Sequence, residues 1–204
     1  MHIHAICRGT ARALSGKTAK TGIFKTPMQG SVMIDSAGIV GDAVCNKKHH
    51  GGPDQAIYAM GSADLLYWSN ALGFEVEPGF FGENLVVGGA DSATIHVGDS
   101  LVMAEVTLEV TAARIPCATL SARVNDANFA PRFRAAGQPG FYCRVLKAGL
   151  LVAGEAVTFK PYEGFKVSMP LILQRFRARS LSAEERAACL TTPLAVRFRA
   201  MLEA

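Results

Sequence analysis

Three short stretches of this 204-residue chain bring together side chains and backbone suited to chemistry. In Arg114-Ile115-Pro116-Cys117 a guanidinium stands three residues before a thiol, and the intervening proline supplies no backbone donor. A cation held beside a cysteine favours the thiolate, which is the form that ligates soft metals. The plainer alternative is a cysteine packed as a small hydrophobe. In His49-His50-Gly51-Gly52-Pro53-Asp54-Gln55 two imidazoles run into a corner that no helix interior or central strand accepts. Glycine there can take positive φ or press against a ligand. Neighbouring rings on extended chain point opposite ways, so only one of His49 and His50 is expected to face a given ligand. Asp54 is expected to cap the segment after it or to orient a histidine. In Gly82-Glu83-Asn84-Leu85 the amide of Asn84 offers two donors and an acceptor, or a residue suited to a left-handed turn. Glu83 reads as a solvated acid, and Gly41-Asp42 and Gly98-Asp99 read as turns.

Together with Val97-Gly98-Asp99 and with Ala118-Thr119-Leu120 beyond the cysteine, these stretches resemble the MOSC domain family, named for the C-terminal domain of molybdenum cofactor sulfurases. The resemblance covers residues 20–160, with the motifs in family order and at family-like spacing. Only His-His-Gly-Gly-Pro-Asp is distinctive by itself. Ala113 departs from the pattern, since many relatives carry proline before the arginine. The resemblance implies a β-barrel that binds the molybdenum cofactor (molybdopterin). Cys117 would be the catalytic residue and the metal ligand, or would carry a persulfide sulfur. His49, His50, Gly51, Gly52, Asn84 and Arg114 would hold the cofactor, with glycine N–H groups and an imidazole or Lys48 receiving its phosphate. Bacterial YiiM-like members reduce N-hydroxylated compounds, so the expected activity is N–O reduction of hydroxylaminopurines or amidoximes. No flavin or nicotinamide motif is visible, and electrons are expected from a separate reductase. The alternative is a persulfide or cofactor carrier using the same cysteine, and a third possibility is a non-enzymatic pterin-binding barrel.

Other chemistries fit less well. Cys45, His49, His50 and Cys117 are zinc-ligand types, but Cys-x3-His-His matches no common zinc spacing. There is no Gly-x-Ser-x-Gly elbow, Walker loop or Gly-x-Gly-x-x-Gly fingerprint.

The elements that must position these groups read as mainly β through residue 164. Val102, Ala104, Val106, Leu108 and Val110 share one parity, and Glu105, Thr107, Glu109 and Thr111 the other, which predicts a strand with one buried face. Ser31–Ile34, Cys143–Leu146 and Ala156–Phe159 are also strand-like. Helices are predicted from an N-cap at Ser62 to Gly73, with Trp68 as core packing, and over Asn128–Ala136 before Gly137. After residue 164 three short helices are expected: Pro170–Arg179, one opened by the Ser182–Glu185 capping box, and Leu194–Glu203 behind Thr192-Pro193. The expected organisation is therefore a MOSC-type β-barrel domain with short interspersed helices over 1–164 and a small helical domain over 165–204.

Half of the residues are apolar, ample for a core, and no run of about 18 consecutive apolar residues exists to span a membrane. The opening Met1–Arg8 lacks a basic-then-apolar leader layout. The five scattered cysteines form no Cys-x-x-Cys pair. A cytoplasmic location is expected from both. The net charge of +4 is carried wholly by residues 165–204, with seven basic side chains against three acidic. Arg175, Arg177, Arg179, Arg186, Arg197 and Arg199 would form a solvated helical surface or a docking face for the reductase. No module for binding nucleic acid is present.

Overall fold

The computed structural model describes residues 1–14, 20–45, 51–176 and 180–203. In chain order its first elements are β1 (His2–Gly9), β2 (Arg12–Ala13), β3 (Lys20–Thr21), β4 (Lys25–Pro27), β5 (Val32–Asp35) and β6 (Gly38–Ile39). Then come β7 (Ile57–Gly61), α1 (Ser62–Leu72), β8 (Leu85–Gly88), β9 (Ser100–Val102), β10 (Thr107–Ala113), α2 (Ala118–Val124) and α3 (Phe129–Ala136). The last are β11 (Phe141–Lys147), β12 (Gly149–Leu151), β13 (Thr158–Lys160), α4 (Met169–Leu171), a π-turn over Ile172–Phe176, α5 (Ala183–Leu190) and α6 (Val196–Glu203).

Eight strands make one sheet in the order β13-β9-β10-β11-β7-β8-β1-β4. Its ladders are antiparallel except β7–β8, a parallel pair joined through α1. Among the described residues no ladder joins the outer strands β13 and β4, so the ladders form a strand-rich sheet without themselves closing the expected barrel. The edge strand β4 ends on Pro27, which has no N–H to extend a ladder. The start of β1 instead bonds the chain just before β13, with Ile3 N donating to Glu155 O at 2.8 Å and Val157 N to Met1 O at 3.0 Å.

The alternation over 102–111 proves to be a hairpin and not one strand. Met103 N donates to Val106 O at 2.9 Å, and Thr107 pairs back onto Val102. Val106, Leu108 and Val110 are buried as the period predicts, whereas Ala104 lies in the turn and is exposed. Helix α1 ends at left-handed Gly73, but its N-cap is Gly61, whose N–H is taken by Asp64 at 2.7 Å. Asn128 and Gly137 cap α3 as expected. Trp68, 1% exposed, stacks on Phe133 at 5.2 Å with Phe81 and Phe129 beside it, and its Nε1 donates to Gln138 O at 2.9 Å. This joins α1 to α3 and places the α2–α3 unit against the sheet.

Behind the sheet, α5 opens on the Ser182–Glu185 capping box, while α6 begins at Val196, two residues later than the Thr-Pro signal implies. Cys189, Leu194, Phe198 and Leu202 bury into the same apolar cluster as the sheet's side chains. Ala195 N bonds Thr111 O at 3.0 Å, tying this tail to β10. Among the described residues no helix is long and apolar enough to cross a membrane.

Candidate active site

Strand β10 runs out through Arg114 to Pro116, and Cys117 then takes extended backbone (φ −129°, ψ 168°) as the N-cap of α2. Its carbonyl starts the helix, accepting from Leu120 N at 3.0 Å and Ser121 N at 3.2 Å. Proline before the cap helps stop the strand, since it has no donor to continue a ladder. The half-buried side chain of Cys117 lines a cavity of about 420 Å³. Arg114, Asn84 and Gly51 line the same cavity. The structure thus brings four of the expected site residues to one hollow. Gly52 adjoins it, left-handed like Gly51 (φ 84° and 77°), and its carbonyl accepts from Gln55 N at 3.0 Å across the corner. His49 and His50, with Lys48, lie outside the described residues.

Arg114 is 5% exposed, and its guanidinium lies 4.7 Å over the ring of Tyr58. Register explains the meeting: Ala112 opposes Tyr142 on β11, and Tyr142 opposes Tyr58 on β7. The Tyr58 hydroxyl donates to Pro139 O at 2.9 Å, which fixes the platform under the cation. Burial acts to lower the Arg114 pKa, but Tyr58, Tyr142, Cys117 and Glu83 outweigh it and raise the pKa above the usual value. Burial likewise pushes the Tyr58 and Tyr142 hydroxyls up, against the pull of Arg114. Arg114 Nε is buried with no hydrogen-bond partner among the described residues. A buried donor left unmade costs about 1–3 kcal/mol, so such an atom marks a place where an acceptor belongs.

Several lining residues carried no signal in the sequence. Lys25 of β4 and Asp42 form an ion pair with side chains 6% and 7% exposed. Asp42 also accepts from Gly9 N at 2.9 Å and from Asn84 Nδ2 at 2.9 Å. It reads as a turn residue in sequence, yet it anchors one wall of the cavity. Asn84 turns its amide inward: its oxygen accepts from Tyr58 N at 3.2 Å while its nitrogen serves Asp42. Its side chain therefore positions the Lys25–Asp42 pair and the start of β7. Lys20, Tyr58, Tyr142, Gln55 and a second thiol, Cys45, also face the hollow.

Other singled-out residues do different work. Glu83 is fully buried, accepting from Gly79 N at 2.6 Å and Phe81 N at 3.0 Å; burial raises its pKa. It braces the turn before β8 and is not a solvated acid. Asp54 caps a helix far away in sequence, accepting from Val196 N at 2.8 Å at the start of α6 and pairing with Arg144 at 2.9 Å. Asp99 closes its turn as read, accepting from His96 N at 2.7 Å and Tyr162 N at 2.8 Å. Cys7, Cys143 and Cys189 are buried, and burial pushes the Cys7 thiol up to about 12. Of the tail arginines, Arg175 is held by Glu185 at 2.8 and 3.0 Å and Arg199 by Leu190 O at 2.7 Å, so these two brace the tail. Arg177 and Arg179 lie outside the described residues.

Residues 46–158 match the sequence model of a family described as the MOSC domain. The chain is 29% identical to protein YiiM of Escherichia coli (strain K12) over 134 residues, 64% of this chain and 60% of that protein. It is also 29% identical over 189 residues to a protein of Gibberella moniliformis named "Reductase", which covers 89% of this chain but only 33% of the fungal protein. The chain therefore spans less than two thirds of either relative's length. The crystal structure of YiiM from Geobacillus stearothermophilus superimposes with a TM-score of 0.81 over 99% of this chain and 97% of that one, at 23% identity.

Proposed function

The chain belongs to the MOSC family, and from that premise we propose that it is a molybdenum-cofactor oxidoreductase that reduces N-hydroxylated compounds such as hydroxylaminopurines and amidoximes, with electrons from a separate reductase. The observation that carries this reading is the cavity lined together by Cys117, Lys20, Lys25 and a buried Arg114 whose Nε has no hydrogen-bond partner among the described residues. The donor set fits the group. The cofactor brings its own sulfur ligands and an anionic phosphate, so one protein thiolate and several cations are what a host site must supply. Cys117 would ligate the metal. Arg114 Nε would supply a donor, with Lys20 and Gly51 lining the same cavity, and the family resemblance assigns a further cofactor contact to His49 or His50. When bound, the cofactor supplies the two electrons that cleave the N–O bond.

The chain's own part is positional and electrostatic. Tyr58 and Tyr142 keep the Arg114 guanidinium fixed, so its charge is ready to balance a thiolate without reorganisation. Asp42, locked by Asn84 and Gly9, holds Lys25 at the cavity wall. With Ile23, Ala43 and Val44, the apolar part of the lining lowers the local dielectric and strengthens these interactions. The test is reduction of an amidoxime by protein from a cofactor-producing host, with reduced viologen as donor. Turnover that disappears in Cys117→Ala is expected, and equal turnover in that variant would refute the reading.

One observation favours the carrier reading: Cys45 lines the same cavity as Cys117, giving a second thiol for sulfur transfer. Cyanolysable sulfur on Cys117 in protein without molybdenum would support it over the reductase.

A further inference from the structure

Beside the Cys117 cavity the charge is one-sided. Five basic residues and no acidic one precede Asp35 in the chain. Strands β2 and β3 set Arg12 opposite Thr21 and Ala13 opposite Lys20, and Thr21 and the exposed Lys20 line the cavity. Helix α2 arrives from the other side: Thr119 lines the cavity, and Arg123, four residues on, shares its helix face. The two arginines meet on one ring. The Arg12 guanidinium lies 5.2 Å from the Phe24 centroid and that of Arg123 lies 4.9 Å from it. Arg123 also lies 4.5 Å over Phe80 and donates from Nε to Phe80 O at 3.2 Å. Phe80 in turn meets Phe74 at 5.5 Å, and Phe74 is 44% exposed.

Two like charges held together need a counter-charge, and among the described residues neither guanidinium has an ion-pair partner. Glu75 and Glu77, on the chain beside Phe74, form no ion pair with them. Burial and the neighbouring charge of Arg12 both lower the Arg123 pKa, against the pull of the buried Glu83. Stacking on a ring fixes a guanidinium while leaving its N–H edge available to a carboxylate. Arginine beside exposed aromatic rings is the composition enriched at protein interfaces, and a small anion would have no use for the rings. The row also lies close to the thiol, since Arg123 is six residues beyond Cys117, about 9 Å by helical rise.

We infer that the row Arg12, Phe24, Arg123, Phe80 and Phe74 is the docking surface for the electron donor, a small carrier protein with an acidic face around its redox centre. The inference rests on the reading of the chain as an oxidoreductase, and it moves the docking face from the helical tail to the rim of the cavity. Reducing an amidoxime to an amidine and water takes two electrons and two protons, the protons from solvent. Two one-electron carriers must therefore dock and leave in each turnover. A small contact steered by charge suits that traffic, because it forms fast and does not hold the spent carrier.

Titration of the protein with flavodoxin and with a [2Fe–2S] ferredoxin at low ionic strength reads the surface without turnover. The two probes separate a flavin carrier from an iron–sulfur carrier, and binding of at least one is expected. Arg12→Glu, at an exposed site with no hydrogen bond to lose, should weaken that binding about fivefold, and Arg12→Glu with Arg123→Gln at least tenfold. Raising the salt to about 0.15 M should weaken the wild type about tenfold and the double variant far less. Arg186→Glu, on the exposed face of α5, should bind as the wild type does. In turnover, Arg12→Glu should raise the KM for the carrier by the same factor, while reduction driven by viologen, a small dication that needs no docking face, keeps its wild-type rate. Binding of neither carrier, binding unchanged in the double variant, an equal loss in Arg186→Glu, or tighter binding of a DNA oligonucleotide than of either carrier would each overturn the inference. Absence of viologen-driven turnover in molybdenum-loaded wild type would instead sink the oxidoreductase reading, and the charge dependence of carrier binding would still decide the surface.

Discussion

Removing Asp42 offers the sharpest test of how the cavity is held together. In Asp42→Ala the Lys25 ammonium keeps its place in a wall where its side chain is 6% exposed, but loses its counter-charge. The Asn84 amide and Gly9 N–H lose their acceptor in the same step. Breaking one partner of a buried ion pair costs about 3–5 kcal/mol, and an orphaned neutral donor about 1 kcal/mol. The pair lines a cavity that water can enter, which favours the lower end, so a loss of about 3 kcal/mol is expected. For a chain of this size that lowers Tm by about 6–12 °C. Urea denaturation of the wild type, Asp42→Ala, Lys25→Met and the double variant gives the coupling directly. The double variant should recover about 2 kcal/mol relative to the sum of the single losses, because it removes the stranded charge as well. A loss under about 1 kcal/mol in Asp42→Ala, or simple additivity in the cycle, would refute the claim that this pair anchors the wall.

Asp64 should give the fold a distinctive pH dependence. Burial pushes its carboxyl up to about 6 against hydrogen bonds from Gly61 and Ser92. An acid with a raised native pKa binds its proton more tightly when folded, so its contribution falls as pH rises from about 4 to 6, by up to about 3 kcal/mol. Denaturation across that range should show this downward contribution in the wild type and its absence in Asp64→Asn. Asp54→Ala should cost about 1–2 kcal/mol and speed amide exchange at Val196, since it removes the cap of α6 and a partner of Arg144. Equal exchange in both proteins would show that the cap is idle. With iodoacetamide, exposed Cys45 and cavity-lining Cys117 should be modified in the native protein, while Cys7 and Cys143 react only on unfolding; peptide mapping after a timed pulse reads this.

How much of this was legible in the sequence depends on the distance over which each residue acts. Arg114, Cys117, Gly51 and Asn84 stand in motifs whose local chemistry is unusual, and they converge on one cavity. Lys25 and Asp42 carry no local pattern; they meet because β4 and the chain after β6 fold beside β1, a pairing that no spacing along the chain encodes. Asn84 shows the limit of reading a side chain's capacity: its donors and acceptor are used, but toward protein. Glu83 looks like a solvated acid and Asp54 like the cap of its own segment for the same reason, since their partners are backbone N–H groups supplied by the fold. The hairpin at Met103–Val106 escaped the periodicity because its turn holds no glycine, proline or asparagine to interrupt the alternation. Helix ends were plainer, since Gly73, Gly137 and Ser182 act locally.

The central claim is that Cys117 is the protein's metal ligand, and molybdenum content measures it most directly. Wild-type protein and Cys117→Ala, expressed together in a host that makes the cofactor and purified alike, should be analysed for metal and for pterin per chain. The account predicts molybdenum approaching one atom per chain in the wild type and a loss of at least tenfold in the variant, with both proteins equally folded. Molybdenum retained in full by Cys117→Ala would contradict it.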